Sequence, residues 1–141
     1  MKVSFDFDST LDRKDVQQFA KELVNDGVEV WIVTSRMSIE YAKANLDQFT
    51  INRVDKANHK LFRVADNIGI KHIHFTNAQF KINFLANQNF LFHLDDDPDE
   101  LIEILNSKDP CKPINVDHFE WEQDCRKLVE IEKYLENSNK L

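Results

Sequence analysis

Carboxylate and hydroxyl side chains follow three short apolar segments of this chain. They occupy residues 6–10 (DFDST), 34–36 (TSR) and 95–97 (DDD). A single aspartate after a strand is ordinarily a turn former. Several brought together would repel one another unless a cation or shared protons neutralise them. Because Mg²⁺ prefers carboxylate oxygens and also binds substrate phosphate, the pattern indicates a magnesium site that acts on phosphate.

Individual residues in these groups could carry acid–base and nucleophilic chemistry. Asp6 and Asp8 are two positions apart, so an extended backbone would direct both side chains to one side. One could attack phosphorus while the other gives a proton to the leaving oxygen and then activates water. The Thr34 hydroxyl suits a phosphoryl oxygen. Lys81, 14 positions before Asp95, is the cation that could offset charge on the transferring group.

The elements that must position these groups are short strands alternating with amphipathic helices. Such alternation predicts an α/β fold with a parallel sheet between two layers of helices, in which ligands bind at the carboxyl ends of the strands. Strands are predicted at 3–5, 28–33, 70–75, 90–94 and 114–116, and helices at 15–25, 38–47, 59–68, 77–87, from about 98, and at 121–136, with a loop at 49–58. Asp12 is the predicted N-cap of the first helix, and Gly27 and Gly69 are predicted to end helices in the left-handed conformation.

The polar groups, taken in order, resemble the motifs of the haloacid dehalogenase superfamily of phosphohydrolases. Residues 3–11 resemble its first motif, 31–35 its second and 92–97 its fourth, while Lys81 fits its third. The resemblance implies a Rossmann-like three-layer sandwich with a five-stranded parallel sheet. Since 141 residues are typical of one domain, residues 1–141 are predicted to form a single phosphatase domain.

Carried over residue by residue, the resemblance implies the catalytic roles. Asp6 would be the nucleophile that forms an aspartyl-phosphate, and Asp8 the general acid and base. Thr34 would bind the phosphoryl group, and Lys81 would stabilise both Asp6 and the phosphate. Further substrate-binding candidates are Ser35 and Arg36, with a solvated strand end as the alternative for Arg36.

The resemblance also implies Mg²⁺ as the cofactor. Its ligands would be Asp6, the backbone carbonyl of Asp8 and the acids of the fourth motif. Among those acids, Asp96 is the first choice and Asp95 the second, although three consecutive aspartates leave the register open. The acids left for an outer role are Asp97 and Asp99.

The connections leave no room for a cap domain over this site. Leu11 leads into a helix by about Asp15, and only six positions separate Phe75 from Lys81. The predicted site is therefore open and without a cap domain. An open site admits a nucleotide, a polynucleotide end or a phosphoprotein more easily than it encloses a small metabolite.

Composition limits the classes of partner. The two glycines are too far apart for a dinucleotide-binding or P-loop motif. A net charge of −7 argues against stable nonspecific nucleic-acid binding. One region, residues 49–63, is locally basic and contains Asn52, Arg53, Lys56, His59, Lys60 and Arg63. A solvated face is the plain interpretation, but if this region borders the site it could steer a polyanionic substrate.

The sequence also predicts the location of the protein and leaves two alternative functions open. The N-terminal sequence does not resemble a signal peptide, and no apolar run is long enough to span a bilayer. A cytoplasmic protein without a membrane partner is therefore predicted. A receiver-like phospho-signalling domain is one alternative, although its acids would follow a different order of strands. The other is a noncatalytic metal- or partner-binding module on the same fold. The oligomeric state is left open.

Overall fold

Five parallel strands form one sheet in the computed structural model, which describes residues 1–139. The strands are β1 (Lys2–Phe5), β2 (Glu29–Thr34), β3 (His72–Phe75), β4 (Phe90–Asp95) and β5 (Lys112–Asn115). Their order is β3-β2-β1-β4-β5, and every neighbouring pair is parallel. The prediction of an α/β fold with a five-stranded parallel sheet is confirmed, and the strand order is Rossmann-like.

Six helices accompany the sheet. They are α1 (Lys14–Asn25), α2 (Ile39–Asn45), α3 (Gln48–Ile68), α4 (Ile82–Leu85), α5 (Pro98–Ser107) and α6 (Trp121–Ser138). Gly27 and Gly69 have φ values of 84° and 93° just after α1 and α3, a conformation in which glycine meets no steric penalty, so both predicted helix ends are confirmed. Within residues 1–139, no helix is long and apolar enough to cross a membrane.

Apolar side chains on the two faces of the sheet form separate clusters. Along β2, Ile32 belongs to a large cluster with residues of α1, α3 and α6. The next residue, Val33, belongs to a smaller cluster with residues of α4 and α5. Successive side chains of a strand point to opposite faces, so the sheet lies between two layers of helices. The smaller cluster marks the face on which α4 and α5 meet the functional residues.

The loop predicted at 49–58 is wrong, because α3 runs without a break from Gln48 to Ile68. Its first turn is capped by Asp47, whose carboxylate accepts a hydrogen bond from the Thr50 N–H at 2.8 Å. This stretch contains no glycine or proline that would interrupt a helix. Its polar residues are exposed positions of a long helix.

The helix predicted at 77–87 is also wrong in extent, since α4 is the single turn Ile82–Leu85. Asn77 and Ala78 have φ values of 53° and 68°, and this left-handed backbone does not continue into a right-handed helix. Asn87, with φ of 62°, ends the segment on the other side. Lys81 therefore lies immediately before a short helix.

Several boundaries differ by one or two residues from the prediction, including those of α2 and β3. Arg13 is the N-cap of α1, whereas Asp12 accepts a hydrogen bond from the Ser9 N–H at 3.2 Å and so serves the preceding turn. Strand β5 covers 112–115, where 114–116 was predicted.

Candidate metal centre

Three aspartates at the carboxyl edge of the sheet form a cluster that could hold a metal ion. Asp6 directly follows β1, Asp95 ends β4 and Asp96 comes next. One carboxylate oxygen from each lies within 4.8 Å of the others. Asp6 and Asp95 are buried and Asp96 is half-buried. The predicted convergence of acids from two separate strand ends is therefore observed.

Strand geometry explains why these side chains meet. Residues two apart on a strand share a face, which aligns Ser4 with Asp6 and His93 with Asp95. Strands β1 and β4 are neighbours in the sheet, and the Asp6 N–H donates to the Leu94 carbonyl at 2.8 Å. The two buried carboxylates consequently face each other across adjacent strands, on the side covered by α4 and α5.

Lys81 lies between these two carboxylates. Its Nζ donates to Asp6 Oδ1 at 2.8 Å and to Asp95 Oδ2 at 2.6 Å, and the residue is only 2 % exposed. Burial alone would lower the pKa of Lys81, but the charges of Asp6 and Asp95 outweigh it and raise the pKa above its ordinary value. Lys81 is therefore a fixed cation inside an acidic site.

Hydrogen-bond donors surround Asp95. Its Oδ2 also meets His93 Nε2 at 2.7 Å, and its Oδ1 accepts from the Asp97 N–H at 3.0 Å. His93 Nδ1 in turn meets Ser4 Oγ at 2.7 Å. Burial alone would raise the pKa of Asp95, but the hydrogen bond with His93 and the charge of Lys81 hold it well below its usual range. Asp95 is therefore ionised, and its position is fixed.

Asp6 is perturbed in the opposite direction. Burial, followed by the negative charge of Asp95, raises the pKa of Asp6 to about 8, although Lys81 opposes the rise. A hydrogen bond with the Asp96 carboxyl adds to it, and Thr10 Oγ donates to Asp6 Oδ2 at 3.3 Å. Without a further cation, Asp6 therefore resists ionisation. Metal binding to a carboxyl group displaces its proton.

Asp8 lies on the turn that leaves β1 and is held by Arg36. The turn, Phe7–Leu11, contains a π-type hydrogen bond from the Leu11 N–H to the Asp6 carbonyl at 3.1 Å. Arg36 Nε and Nη2 donate to the two carboxylate oxygens of Asp8 at 2.9 and 2.7 Å. This bidentate pair fixes the direction of the Asp8 carboxylate.

Arg36 is itself anchored by α3. Its Nη1 donates to the Ala57 carbonyl at 2.7 Å and meets Asn58 Oδ1 at 3.4 Å. Asn58 is buried and also donates to the Met37 carbonyl at 3.0 Å. The middle of α3 is thereby connected through Arg36 to Asp8.

An open cleft of about 330 Å³ lies in front of the acidic cluster. Its lining includes Asp6, Asp8, Ser35, Lys81, Asp95, Asp96 and Asp97. Thr34 is buried, and its hydroxyl accepts a hydrogen bond from the Arg36 N–H at 3.2 Å. Ser35 is the exposed hydroxyl of this segment. The cleft thus combines most of the site residues expected from the sequence, and of the two predicted hydroxyl residues Ser35 lines it.

Sequence reasoning did not identify two of the residues that hold this site together. Glu100, on the first turn of α5, accepts the Lys81 N–H at 2.9 Å, and Asn58 anchors Arg36. An acidic residue in a first helical turn is common for its favourable interaction with the helix dipole, so nothing distinguished Glu100. His93 also contacts the cluster, and both of its ring nitrogens have partners. Its spacing of two from Asp95 was the available signal that it also contacts the cluster.

The donor set of this cluster fits a hard divalent cation. All three candidate ligands are carboxylates, which Mg²⁺ prefers, and Lys81 leaves their combined charge negative. Saturating Mg²⁺ is therefore expected to stabilise the protein, by about 2.7 kcal/mol at a hundred times its dissociation constant. For a chain of this size, that raises the melting temperature by roughly 10 °C.

Thermal melts with Mg²⁺ and with a chelator measure this effect. Asp96→Asn should remove most of the Mg²⁺-dependent rise, whereas Asp66→Asn, an exposed acid on α3, should leave it intact. Equal melting temperatures of the unmodified protein with and without Mg²⁺ would exclude a magnesium site here.

In comparisons with known proteins, no family model, no curated protein and no solved structure matches this chain.

Proposed function

We propose that this protein is a Mg²⁺-dependent phosphohydrolase of the haloacid dehalogenase type, which cleaves phosphate monoesters through an aspartyl-phosphate on Asp6. The observation that carries this proposal is the placement of Lys81, which is buried between Asp6 and Asp95 at the carboxyl edge of a parallel sheet. A structural ion pair would need one carboxylate. Two ionisable carboxylates with a third beside them are more typical of a site that binds a metal ion and phosphate.

The proposed reaction has two steps. First, the Asp6 carboxylate attacks phosphorus, the bond from phosphorus to the ester oxygen breaks, and Asp8 gives its proton to that oxygen. Water then attacks the phosphorus of the aspartyl-phosphate while Asp8 takes a proton from it. The bond between Asp6 and phosphorus breaks, inorganic phosphate leaves, and both carboxyl groups return to their starting states.

Mg²⁺ would be held by Asp6 and by Asp95 or Asp96, with the backbone carbonyl of Asp8 as a further ligand. When bound, it would neutralise charge on the phosphoryl oxygens. Lys81 contributes a second positive charge at the nucleophile.

Ser35 is better placed than Thr34 to meet a phosphoryl oxygen. Ser35 is exposed in the cleft, whereas the Thr34 hydroxyl is used by the Arg36 backbone. In this proposal Ser35 and Lys81 bind the phosphoryl group, and Thr34 fixes the segment that carries Ser35 and Arg36.

The connections in the structure are compatible with a site that lacks a cap domain. Only 6–13 separate β1 from α1, and only 76–81 separate β3 from α4. A bulky phosphorylated molecule could therefore approach the cleft directly.

A noncatalytic metal-binding module remains the second candidate, and one observation favours it. Both oxygens of Asp8 are engaged by Arg36, so Asp8 must exchange this partner, at least in part, to transfer protons. A receiver-like domain is not retained, because receiver sheets have the order 2-1-3-4-5 and this sheet has the order 3-2-1-4-5.

Hydrolysis of a generic aryl phosphate tests the proposed function. We expect release of phosphate with Mg²⁺ and none with a chelator. Mg²⁺ binding without hydrolysis of any phosphate ester would refute the proposed phosphohydrolase activity and favour the noncatalytic metal-binding module.

Arg36 provides a sharper test of how Asp8 is positioned. Arg36→Lys removes the bidentate contact but keeps the charge. We expect kcat to fall about 10- to 100-fold, which is part of the roughly 10²- to 10⁴-fold that general acid–base catalysis contributes. The loss should be greater for a substrate with a poor leaving group than for a dinitrophenyl ester, which needs no proton from Asp8. Arg126→Lys is the matched control, since Arg126 on α6 also makes ion pairs, with the carboxylates of Glu22 and Glu122. An equal loss for both substrates would show that Arg36 does not act through Asp8.

A further inference from the structure

One face of α3 carries an exposed row of basic residues that starts from an exposed aromatic ring. Phe49, Arg53, Lys56, Lys60 and Arg63 follow one another at spacings of four, three, four and three residues. This spacing places them along one side of a helix, and all five are exposed. We call these five residues the basic face. The residues that α3 buries are Asn58, Leu61, Val64, Ala65 and Ile68.

The four cations of the basic face have no acidic partners within residues 1–139. The contrast with the rest of the chain is clear among its five arginines. Arg13, Arg36 and Arg126 each pair with a carboxylate, whereas Arg53 and Arg63 do not. Asp55, the acid inside this stretch, interacts instead with His59 at 3.6 Å. On a protein with a net charge of −7, an unpaired row of four positive charges is a local surface available to an anionic partner.

The N-terminal part of the basic face lies toward the same edge of the sheet as the cleft. Because α3 leads into the parallel strand β3, its N-terminal end lies toward the carboxyl edge of the sheet, where the cleft is. Arg36 marks the level of the cleft, and it contacts α3 at Ala57 and Asn58. A helix of 21 residues is about 31 Å long, whereas the 6 residues of β2 span about 20 Å. The part of α3 before Ala57, with Phe49, Arg53 and Lys56, therefore extends beyond the edge of the sheet.

We propose that the basic face binds the sugar-phosphate backbone of a single-stranded nucleic acid whose terminal phosphate enters the cleft. This inference rests on the proposed function for the fate of that phosphate. The Cβ atoms of neighbouring residues on the face are about 5–6 Å apart, and Arg53 and Arg63 are separated by about 15 Å along the helix. A row of that length fits a chain of several phosphates, which a mononucleotide or a single phosphorylated side chain does not offer.

The aromatic end of the face favours a single strand. Phe49 is 72 % exposed, and the Arg53 guanidinium lies 5.8 Å from its ring centre. Proteins that bind single strands combine a positive track with aromatic rings on which bases stack, and bases within a duplex are not free to stack in this way. A duplex would also bring more phosphates against the acidic remainder of the surface.

Binding of short fluorescent oligonucleotides to the full chain tests this inference independently of catalysis, because strands without a terminal phosphate are not substrates. With four phosphate contacts, log Kd should rise with log salt concentration with a slope of about 2.8. Arg53→Gln with Lys56→Gln should lower the slope to about 1.4 and weaken binding about tenfold at low salt. Lys108→Gln with Lys127→Gln, two exposed lysines elsewhere, should change neither quantity. Phe49→Ala should weaken binding at least fivefold without changing the slope.

Hydrolysis measurements link the face to the cleft. The Arg53/Lys56 variant should raise the ratio of KM for an end-phosphorylated strand to KM for an aryl phosphate. Parallel measurements with DNA and RNA strands identify the preferred sugar-phosphate backbone. Strands that carry the terminal phosphate at the 5′ or at the 3′ end identify the preferred end.

The outcomes separate this inference from the proposed function. Salt-dependent binding through the basic face without any phosphatase activity would support the nucleic-acid-binding surface and refute the proposed enzymatic function. If the protein hydrolyses an aryl phosphate but its oligonucleotide binding is unchanged by the Arg53/Lys56 substitutions, the inference is overturned and the proposed enzymatic function stands. The inference would also be overturned if a duplex bound as tightly as the single strand, or if a phosphopeptide bound more tightly than the single strand.

Discussion

Replacing Asp6 by asparagine is expected to abolish phosphate-ester hydrolysis while leaving the protein folded. Asparagine has nearly the same shape, but its amide cannot attack phosphorus, so the first step of the proposed reaction would lose its nucleophile. The loss in kcat/KM should be at least about 10⁴-fold. Steady-state rates on an aryl phosphate with saturating Mg²⁺ measure it.

Stability measurements show whether that loss is chemical. Asp6 is buried with a pKa raised to about 8, so a neutral amide replaces a group that already resists ionisation. We expect the free energy of unfolding of the metal-free Asp6→Asn protein to equal or exceed that of the unmodified protein. Asp66→Asn, at an exposed position, should keep full activity. If Asp6→Asn retained a tenth of the activity, Asp6 would not be the nucleophile.

Replacing Lys81 by methionine is expected to produce the largest loss of stability. Lys81 is the cation between two buried carboxylates, and removing one partner of a buried ionic network costs about 3–5 kcal/mol. Methionine keeps the length of the side chain, so most of the effect comes from the lost charge. Urea unfolding of the metal-free variant measures the change. Lys71→Met, at an exposed position, should change the free energy of unfolding by no more than about 0.5 kcal/mol.

The Lys81 variant should also respond more strongly to Mg²⁺. Without the ammonium group, the three carboxylates have only the metal ion to neutralise them, so Mg²⁺ should restore more stability to Lys81→Met than it adds to the unmodified protein. A change in unfolding free energy below about 1 kcal/mol would show that Lys81 does not hold the carboxylates in place.

The sheet and its acidic edge could be predicted because they depend on local patterns. Apolar runs ending in Asp6 and Asp95 identify two central strands, and parallel topology brings the ends of such strands together. Gly27 and Gly69 mark two helix ends for a reason internal to each segment. These features need no knowledge of distant contacts.

The start of α3 and the extent of α4 could not be predicted in the same way. Residues 49–58 are polar, and this composition fits both a loop and the exposed part of a long helix. Their helical state becomes clear only from the cap at Asp47 and from the contacts of Ala57 and Asn58 with Arg36. Near Lys81, left-handed backbone at Asn77 and Ala78 overrides a sequence whose apolar spacing is helical.

Within the site, sequence spacing predicted which acids converge but not what holds them. The pairing of Asp8 with Arg36 joins residues 28 positions apart. The contact of Glu100 with Lys81 joins residues 19 positions apart. Neither leaves a periodic pattern in the sequence. The burial of the Thr34 hydroxyl likewise depends on how the following two residues turn. Which of the two hydroxyls, Thr34 or Ser35, is exposed could therefore be recognised only in the folded chain.

Trapping the covalent intermediate would show whether Asp6 receives the phosphoryl group, as we propose. Asp8→Asn should still react with a dinitrophenyl phosphate, whose leaving group needs no proton, but it lacks the base that activates water for the second step. Phosphorylated protein should therefore accumulate, and peptide mass mapping after an acid quench should place the phosphoryl group on Asp6. The Asp6→Asn/Asp8→Asn double variant and a sample with chelator should carry none. Release of dinitrophenol without phosphorylated protein, or a phosphoryl group on another residue, would contradict the account.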